Sequence, residues 1–432
     1  VGSEMCIRDR SGNSVKGNYI GINKNGTAII SSSSQNYGVG VAFGTVGTNT
    51  IGGTAANEGN VISGNTAIGI WANYCVFSIY GNIIGPQADG VTLVTSNPQG
   101  YGLQIDGSTH TIGGNTALMR NIISGNIWHG IYISTTATGN VIMGNYIGPG
   151  STLAAIAGST QIYGVYIFNG STNNTIGGIG VGEPNRIAFN TGDGIYILML
   201  SCTGNLISGN PIYSNNAGGK PINLNYGASQ GNNGKAIPVI TTSNTSTIAG
   251  TSGANNVIEV FKNTTGSSFD ASTYVGTTTA NGSGNWSLAV SLTAGDVVIA
   301  NARDASNNTS EFSTPTFPLP VELLYFTVEC DKEGAVQCKW STVTETNNNF
   351  FTIERSLDSV STWEVVGQIK GAGNSSQALQ YTFTHKDAIK GNSFYRLKQT
   401  DFNGQYEYYK PVAIQCGNDN SCLLYTSPSP RD

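Results

Sequence analysis

The stretch Asn60-Val61-Ile62-Ser63-Gly64-Asn65 decides the fold, because its Asn-x-Ile core recurs throughout the first half of the chain. The same core begins at six further asparagines, namely Asn18, Asn82, Asn121, Asn145, Asn185 and Asn210. The first and third positions are constant, whereas the middle position accepts apolar, aromatic and basic residues and proline. A constant β-branched residue beside a variable one indicates a short strand with one buried and one outward side chain.

A second marker divides the same region into coils. It is a glycine followed by an alternating strand, and it begins at Gly40, Gly69, Gly102, Gly130, Gly164 and Gly194. Successive markers are 29, 33, 28, 34 and 30 residues apart, and each interval holds two further strands with Ile in third place. Three short strands per interval predict a three-sided parallel β-helix of about six to seven coils over residues 11–227. The long inserts at 85–101 and 148–163 are expected to project from one edge and to be available for function.

The seven asparagines of the Asn-x-Ile cores are expected to have a structural role. Asparagines that stack at one position of successive coils hydrogen-bond to one another along the axis, as in cross-β ladders. We therefore predict one continuous ladder through Asn18, Asn60, Asn82, Asn121, Asn145, Asn185 and Asn210.

The outward residues of the glycine strands form a candidate binding surface. Coil by coil they are Ala42, Trp71, Gln104, Tyr132, Tyr166 and Tyr196. Aromatic side chains one strand apart either offer a surface for sugar rings or simply stack and stiffen the sheet. Trp71, Tyr132, Tyr166 and Tyr196 are thus candidate glycan-binding residues, together with Tyr163, which precedes the marker Gly164 beside this row. A neutral polysaccharide or cell-surface glycan is the candidate partner.

Candidate catalytic residues are scarce. The residues that precede the marker glycines are Val39, Ile68, Tyr101, His129, Tyr163 and Asp193, which places His129 and Asp193 on one row. They would lie about 10 Å apart, two strand spacings, which is too far for a direct His–carboxylate pair. No cluster of carboxylates with calcium or zinc spacing is present in the sequence, so no metal and no cofactor are predicted.

Composition excludes several classes of protein. Charged residues make up 10% of the chain and the net charge is −5, which argues against nucleic acid as a partner. No run of 18 apolar residues occurs, so no membrane span is predicted. Cys330 and Cys338 flank a short turn, and they either form a disulfide or serve, like Cys75, Cys202 and Cys416, as small core residues.

The Asn-x-Ile period stops near residue 228, where alternating strands with Gly and Asn turns begin. Residues 228–317 have the strand spacing of an immunoglobulin-like sandwich, and residues 318–417 predict a second sandwich. In this second sandwich Trp340 and Tyr395 are expected in the core, and the segment 401–404 is expected to form a hairpin turn.

These motifs carry family resemblances. The repeats N-V-I-S-G-N and N-T-I-G-G resemble the right-handed parallel β-helix, or pectin-lyase-like, repeats of secreted bacterial proteins. The segments G-N-W-S-L and A-R-D-A-S-N-N-T-S-E-F resemble bacterial Ig-like repeats. The segments L-P-V-E-L-L-Y-F and S-F-Y-R-L-K-Q-T-D-F-N-G-Q-Y-E-Y resemble the fibronectin type III-like module that precedes a type IX secretion sorting domain in Bacteroidetes proteins. The resemblance implies an extracellular or outer cell-surface location.

The two ends of the chain resemble translated sequencing adapter. The sequences V-G-S-E-M-C-I-R-D at 1–9 and C-L-L-Y-T-S-P-S-P-R-D at 422–432 back-translate into inverted copies of one DNA sequence. Residues 1–10 and most of 418–432 are therefore expected to be non-native.

Two functions remain open at this stage. The first is a modular surface scaffold or adhesin that contacts glycans through its β-helix and has no catalytic activity. The second is a polysaccharide-active lyase or glycoside hydrolase, with its site near His129 and Asp193 or in coils outside this sequence.

Overall fold

A computed structural model describes residues 12–30, 35–40, 47–73, 75–216, 219–225, 230–243, 246–263, 270–293, 296–316, 323–331, 334–343, 345–358, 362–375, 377–402, 404 and 406–416. The chain divides into two compact units, Val1–Val290 with Asp296–Thr316, and Ser291–Gly295 with Phe317–Asp432. The predicted adapter segments and Ala42 lie outside the described residues. All four predicted domain boundaries also fall outside them, and these boundaries stay predictions.

The first unit begins with 21 short strands in seven successive triplets. These are β1 Ser14–Val15, β2 Tyr19–Ile20, β3 Tyr37–Gly40, β4 Thr48–Gly52, β5 Val61–Ile62, β6 Ile68–Ala72, β7 Val76–Tyr80, β8 Ile83–Ile84, β9 Tyr101–Ile105, β10 Thr111–Gly113, β11 Ile122–Ile123, β12 His129–Ile133, β13 Val141–Met143, β14 Tyr146–Ile147, β15 Tyr163–Ile167, β16 Thr175–Gly177, β17 Arg186–Ala188, β18 Ile195–Ile197, β19 Leu206–Ser208, β20 Ile212–Tyr213 and β21 Ile222–Asn223. A single 3₁₀ turn at Ala117–Met119 interrupts the described part of this series.

Every third strand pairs in parallel, which produces three seven-stranded sheets. We name them sheet A (β1 to β19), sheet B (β2 to β20) and sheet C (β3 to β21). The third-position isoleucines of the three sheets fill one central core, and Ile62, Ile112 and Ile133 are all fully buried. The predicted all-β class and the three-sided parallel β-helix are therefore confirmed.

Amide ladders run along all three corners of the coil. In the first, each predicted Asn donates from Nδ2 to Oδ1 of the next, at 2.9–3.1 Å from Asn18 through to Asn210. A second ladder, which the sequence did not predict, contains both Asn and Gln and runs through Asn65, Gln99, Asn126, Gln161, Asn190 and Asn215. The third ladder contains Asn140, Asn174 and Asn205. Buried amides thus satisfy the backbone groups that the turns leave unpaired.

The long inserts pack against one another beside the coil. Each folds back into a hairpin-like loop with an antiparallel bridge, Pro86 to Leu93 in one and Pro149 to Ala155 in the next. The loops also hydrogen-bond to one another, from Ala88 N to Gly26 O and from Ser151 N to Gly90 O, both at 2.9 Å. Val94 is fully buried beneath them. These loops therefore form a side stack beside the coil.

The first coil departs from the predicted register. Tyr37 pairs with Ile68, Val39 with Ile70 and Gly40 with Trp71. Its glycine strand is therefore Tyr37-Gly38-Val39-Gly40, two residues earlier than predicted. Gly38 takes the place of the marker glycine because a Cβ there would lie 2.5 Å from the Gly69 carbonyl oxygen. Tyr37, and not Val39, is then the residue that precedes it.

An antiparallel sandwich completes the first unit. A second 3₁₀ turn, Asn232–Gly234, leads into β22 Val239–Ser243, β23 Thr247–Thr251, β24 Val257–Asn263, β25 Thr273–Thr279, β26 Asn285–Ala289 and β27 Val297–Arg303. The strand orders are β22-β23-β26 and β25-β24-β27. Phe261, Ile299 and Phe312 of this sandwich belong to the same hydrophobic cluster as the β-helix isoleucines.

The second unit is also an antiparallel sandwich. Its strands are β28 Leu323–Cys330, β29 Val336–Thr342, β30 Glu345–Ser356, β31 Glu364–Ser375, β32 Leu379–His385, β33 Gly391–Asp401, β34 Tyr406–Tyr408 and β35 Val412–Cys416. Trp340 and Tyr395 are fully buried, as predicted. The hairpin between β33 and β34 is also confirmed, with Gly404 N donating to Asp401 O at 3.0 Å.

The cysteine pairing differs from both sequence interpretations of Cys330. Cys330 forms a disulfide with Cys416, whereas Cys338 is a free, fully buried thiol. Cys338 pairs instead with Val328 across β28 and β29, and it faces the core. The described part of the chain contains no helix that is long and apolar enough to cross a membrane.

Candidate functional site

The outward face of sheet C carries a stack of four tyrosines. Tyr101, Tyr132, Tyr166 and Tyr196 lie on successive coils, with ring centroids 5.0, 5.3 and 5.3 Å apart. Neighbouring rings are inclined by only 17–27°, so they overlap face to face. The β-helix register produces this arrangement, because Tyr132 pairs directly with Tyr166 and Tyr166 with Tyr196. We call these four residues the tyrosine stack.

A second aromatic row lies beside the tyrosine stack. His129 stacks on Tyr163 at 5.0 Å and meets Tyr166 edge-on at 5.0 Å. The ring centroids of Tyr163 and Tyr196 lie 4.8 Å apart. Sheet C therefore brings His129, Tyr163, Tyr166 and Tyr196 into one continuous cluster of rings.

Stacking determines which part of each tyrosine is accessible to a ligand. A ring covered on both faces by its neighbours presents its edge and its phenol hydroxyl to the solvent. Burial raises the pKa of Tyr101, Tyr132, Tyr163, Tyr166 and Tyr196, so these phenols keep their protons and can donate hydrogen bonds. The face is thus a row of hydroxyl groups on an apolar support, with one or two per coil.

Trp71 belongs to a separate polar cluster. Gln104 lies between Trp71 and Tyr132 in the register, and this interrupts the aromatic row. Trp71 Nε1 and Gln104 Nε2 both donate to Asp106 Oδ2, each at 2.7 Å. Ser134 Oγ donates to Asp106 Oδ1 at 2.7 Å. Trp71 also stacks on Tyr37 at 5.2 Å, so it lies on the same face but outside the tyrosine stack.

The two catalytic candidates do not form an acid–base pair. Asp193 Oδ1 accepts from Lys220 N at 2.7 Å and Oδ2 from Asn223 Nδ2 at 2.9 Å, so its carboxylate anchors the last coil. Burial lowers the pKa of His129 to about 4, and this keeps the imidazole neutral at physiological pH. Tyr163 lies between His129 and Asp193, as the sequence spacing predicts. This geometry supports a structural role for Asp193 and a packing role for His129.

One exposed aromatic residue was missed in the sequence. Trp128 precedes His129, lies outside the alternating strand pattern and is 46% exposed. Its ring meets Tyr101 at 5.0 Å with an interplanar angle of 63°. Its position next to His129 could have identified it, because the residue before each strand lies at the corner of sheet C.

Metal ligands are not grouped anywhere in the described ranges. No three His, Cys, Asp or Glu side chains there converge on a point that would hold an ion. Sheet C offers hydrogen bonding from phenol, indole and amide groups, together with aromatic contact.

No family model and no curated protein matches this chain. Among solved structures, the BSP domain of a biofilm associated protein aligns at 12% identity and a TM-score of 0.18, covering 43% of this chain and 30% of that one. A two-domain fibronectin type III segment of chicken tenascin aligns at 8% identity and a TM-score of 0.23, covering 42% of this chain and 96% of that one. The FN1–FN3 domains of chicken CNTN1 align at 13% identity and a TM-score of 0.18, covering 42% of this chain and 64% of that one. This chain thus spans under a third of the solved biofilm-associated chain.

Proposed function

We propose that this protein is an extracellular scaffold that binds a neutral carbohydrate through the aromatic face of sheet C. The observation that carries the proposal is the continuous ring cluster around the tyrosine stack, with a phenol hydroxyl on each of four successive coils. Sugars present hydroxyl groups and apolar C–H edges together. A surface of protonated phenols on an apolar support complements both.

Charge supports a neutral ligand. None of the described outward residues of sheet C from β6 to β18 is Lys or Arg, so an acidic polymer has no cation to pair with there. Both nearby carboxylates are already engaged, Asp106 with Trp71 and Gln104, and Asp193 with Lys220 and Asn223. A cationic ligand would therefore have to break existing hydrogen bonds.

The disulfide supports an extracellular location. Disulfides persist in oxidising compartments and are rare in the cytosol. The Cys330–Cys416 bond joins residues 86 positions apart, close to the two ends of the second unit. A scaffold outside the cell gains from such a covalent bond, because it limits unfolding where chaperones are absent.

A glycan array with matched variants tests this proposal. The double variant Tyr132→Phe/Tyr166→Phe keeps the stack and removes two hydroxyls, whereas Tyr132→Ala/Tyr166→Ala removes the rings as well. We expect the first to weaken binding and the second to abolish it, while Tyr325→Phe in the second unit leaves binding unchanged. Unaltered binding by both double variants would exclude this face.

The competing enzyme hypothesis has its own test. Incubation of the protein with a panel of polysaccharides would release soluble oligosaccharides if it were a lyase or hydrolase. We expect no release, because His129 and Asp193 are not arranged for proton transfer. Product formation that is lost in His129→Ala would overturn the scaffold proposal.

A further inference from the structure

Trp128 differs from the other rings of sheet C in its orientation. The rings of the tyrosine stack overlap along the coil axis, so their faces are turned toward one another. The Trp128 ring is rotated by 63° from Tyr101, the first ring of that stack. Its ring plane therefore crosses those of the stack, and the residue is 46% exposed.

The coil below Trp128 is shaped to receive its indole. A Cβ at Gly100 would lie 2.6 Å from Cε3 and 2.8 Å from Cζ3 of Trp128, so only glycine leaves room for the ring at this position. The backbone of Trp128 is fixed as well, with its N–H donating to Gly100 O at 2.9 Å and its carbonyl accepting from Ile162 N at 2.5 Å. The ring thus rests on the neighbouring coil and keeps one side open.

We propose that Trp128 is a stacking platform for one pyranose ring and that the ligand is a β-1,4-linked glucan or xylan. This inference rests on the proposed function, since it assumes that sheet C binds carbohydrate. An electron-rich indole face attracts the weakly positive C–H groups of a sugar ring. A ring with only equatorial hydroxyls offers such C–H groups on both of its faces.

The tyrosine stack accounts for the linkage. Its rings recur once per coil, and the centroids of neighbouring rings lie 5.0–5.3 Å apart. Chains joined through equatorial 1,4 bonds are extended and advance by about one strand spacing per sugar, about 5 Å. Curled α-linked chains lose this match after one or two residues. A sugar with an axial hydroxyl, as in mannans and galactans, has an oxygen on one of its faces and can stack only through the other.

Titration calorimetry on the full chain tests this inference with four hexasaccharide probes. These are cellohexaose, xylohexaose, mannohexaose and β-1,4-galactohexaose. We expect the unmodified protein to bind the first two more tightly than the last two. Trp128→Ala should weaken cellohexaose binding roughly tenfold, the effect of one lost aromatic contact. Trp128→Phe should recover part of the affinity.

Tryptophan fluorescence supplies a second readout. The chain contains five tryptophans, and cellohexaose should change the emission of the unmodified protein but not that of Trp128→Phe. Thermal unfolding of Trp128→Phe checks that the coil is intact. Unchanged affinity of Trp128→Ala overturns the platform, and a preference for the galactan probe overturns the assigned ligand. Either result leaves the proposed function standing. Absence of binding to all four probes and on the glycan array overturns both.

Discussion

At the scale of single residues, the amide side chains contribute more to this β-helix than their polarity suggests. Asn121 donates from Nδ2 to Asn145 Oδ1 at 2.9 Å and to Ile79 O at 2.8 Å. Its Oδ1 accepts from both the backbone and the side chain of Asn82. One buried amide therefore joins three coils and satisfies groups that water cannot reach.

Replacement of this amide should be costly. We expect Asn121→Ala to lower the free energy of unfolding of the first unit by about 3 kcal/mol, because several buried polar groups lose their partner. Exposed Asn115→Ala should change it by less than about 0.5 kcal/mol. Urea denaturation of both variants measures the difference. Equal stabilities would show that the ladder contributes little.

A buried carboxyl in the second unit should make its stability depend on pH. Burial raises the pKa of Asp401 to about 6 in the folded state, from an ordinary value of 3.8. The folded state therefore binds the proton more tightly than the unfolded chain, so stability is greatest below about pH 4 and falls as the pH rises to about 6. A shift of this size corresponds to about 3 kcal/mol.

Denaturation of Asp401→Asn at a series of pH values isolates this contribution. The variant should lose the decline between about pH 4 and pH 6, whereas exposed Asp387→Asn should keep it. If Asp401→Asn and the unmodified protein had parallel pH profiles, the raised pKa of Asp401 would be wrong.

The asparagines and isoleucines of the repeat were visible in the sequence because burial restricts each to one residue type. The outward positions carry no such restriction, so their orientation could not be predicted from the pattern. Spacing placed Tyr132, Tyr166 and Tyr196 in one row, but it did not show that their faces cover one another. Trp128 escaped notice because it occupies a corner, where no period applies.

At the scale of the strands and turns, positive-φ glycines allow the coils to approach closely. Gly144 has a φ of +69°, and a Cβ there would lie 1.9 Å from Gly114 O. Gly139 has a nearly identical φ of +67°, but its nearest neighbour would be 3.8 Å away. Alanine at position 139 would therefore introduce backbone strain alone, whereas alanine at position 144 would introduce backbone strain and a steric conflict.

Gly139 and Gly144 provide a controlled comparison. Gly139→Ala should cost about 1 kcal/mol, the price of a left-handed backbone for an L-residue. Gly144→Ala should cost clearly more, because the coils must also move apart. Thermal unfolding of the two variants measures the gap, and equal melting temperatures would contradict the close packing at Gly144.

Strand register was predictable wherever glycine and Ile recur together. It failed in the first coil because Gly38 and Gly40 both precede alternating residues, and only the contact between Gly38 and the Gly69 carbonyl selects one of them. The packing of the long inserts could not be predicted from the repeat pattern, because it depends on contacts between loops of different coils.

At the scale of the whole molecule, the first sandwich completes the β-helix. The last coil leaves backbone N–H groups without a further coil to accept them. Glu259 Oε2 accepts from Gly209 N at 2.8 Å, and Asn308 Oδ1 accepts from Gly204 N at 2.7 Å. Thr309 Oγ1 accepts from Ile207 N at 3.0 Å. The sandwich therefore acts as the terminal cap that repeat arrays need.

The two compact units should consequently unfold in two transitions, one for the capped β-helix and one for the second sandwich. Only the second contains the Cys330–Cys416 bond, which restricts a loop of 86 residues in the unfolded chain. Cys330→Ser/Cys416→Ser should cost about 2–5 kcal/mol and lower the melting temperature of the second unit by roughly 10 °C or more. Differential scanning calorimetry should show the first transition unmoved. Reductant should reproduce this shift in the unmodified protein and have no effect on the variant, because the variant lacks the Cys330–Cys416 bond that the reductant cleaves. An equal shift of both transitions would show that the two units unfold as one.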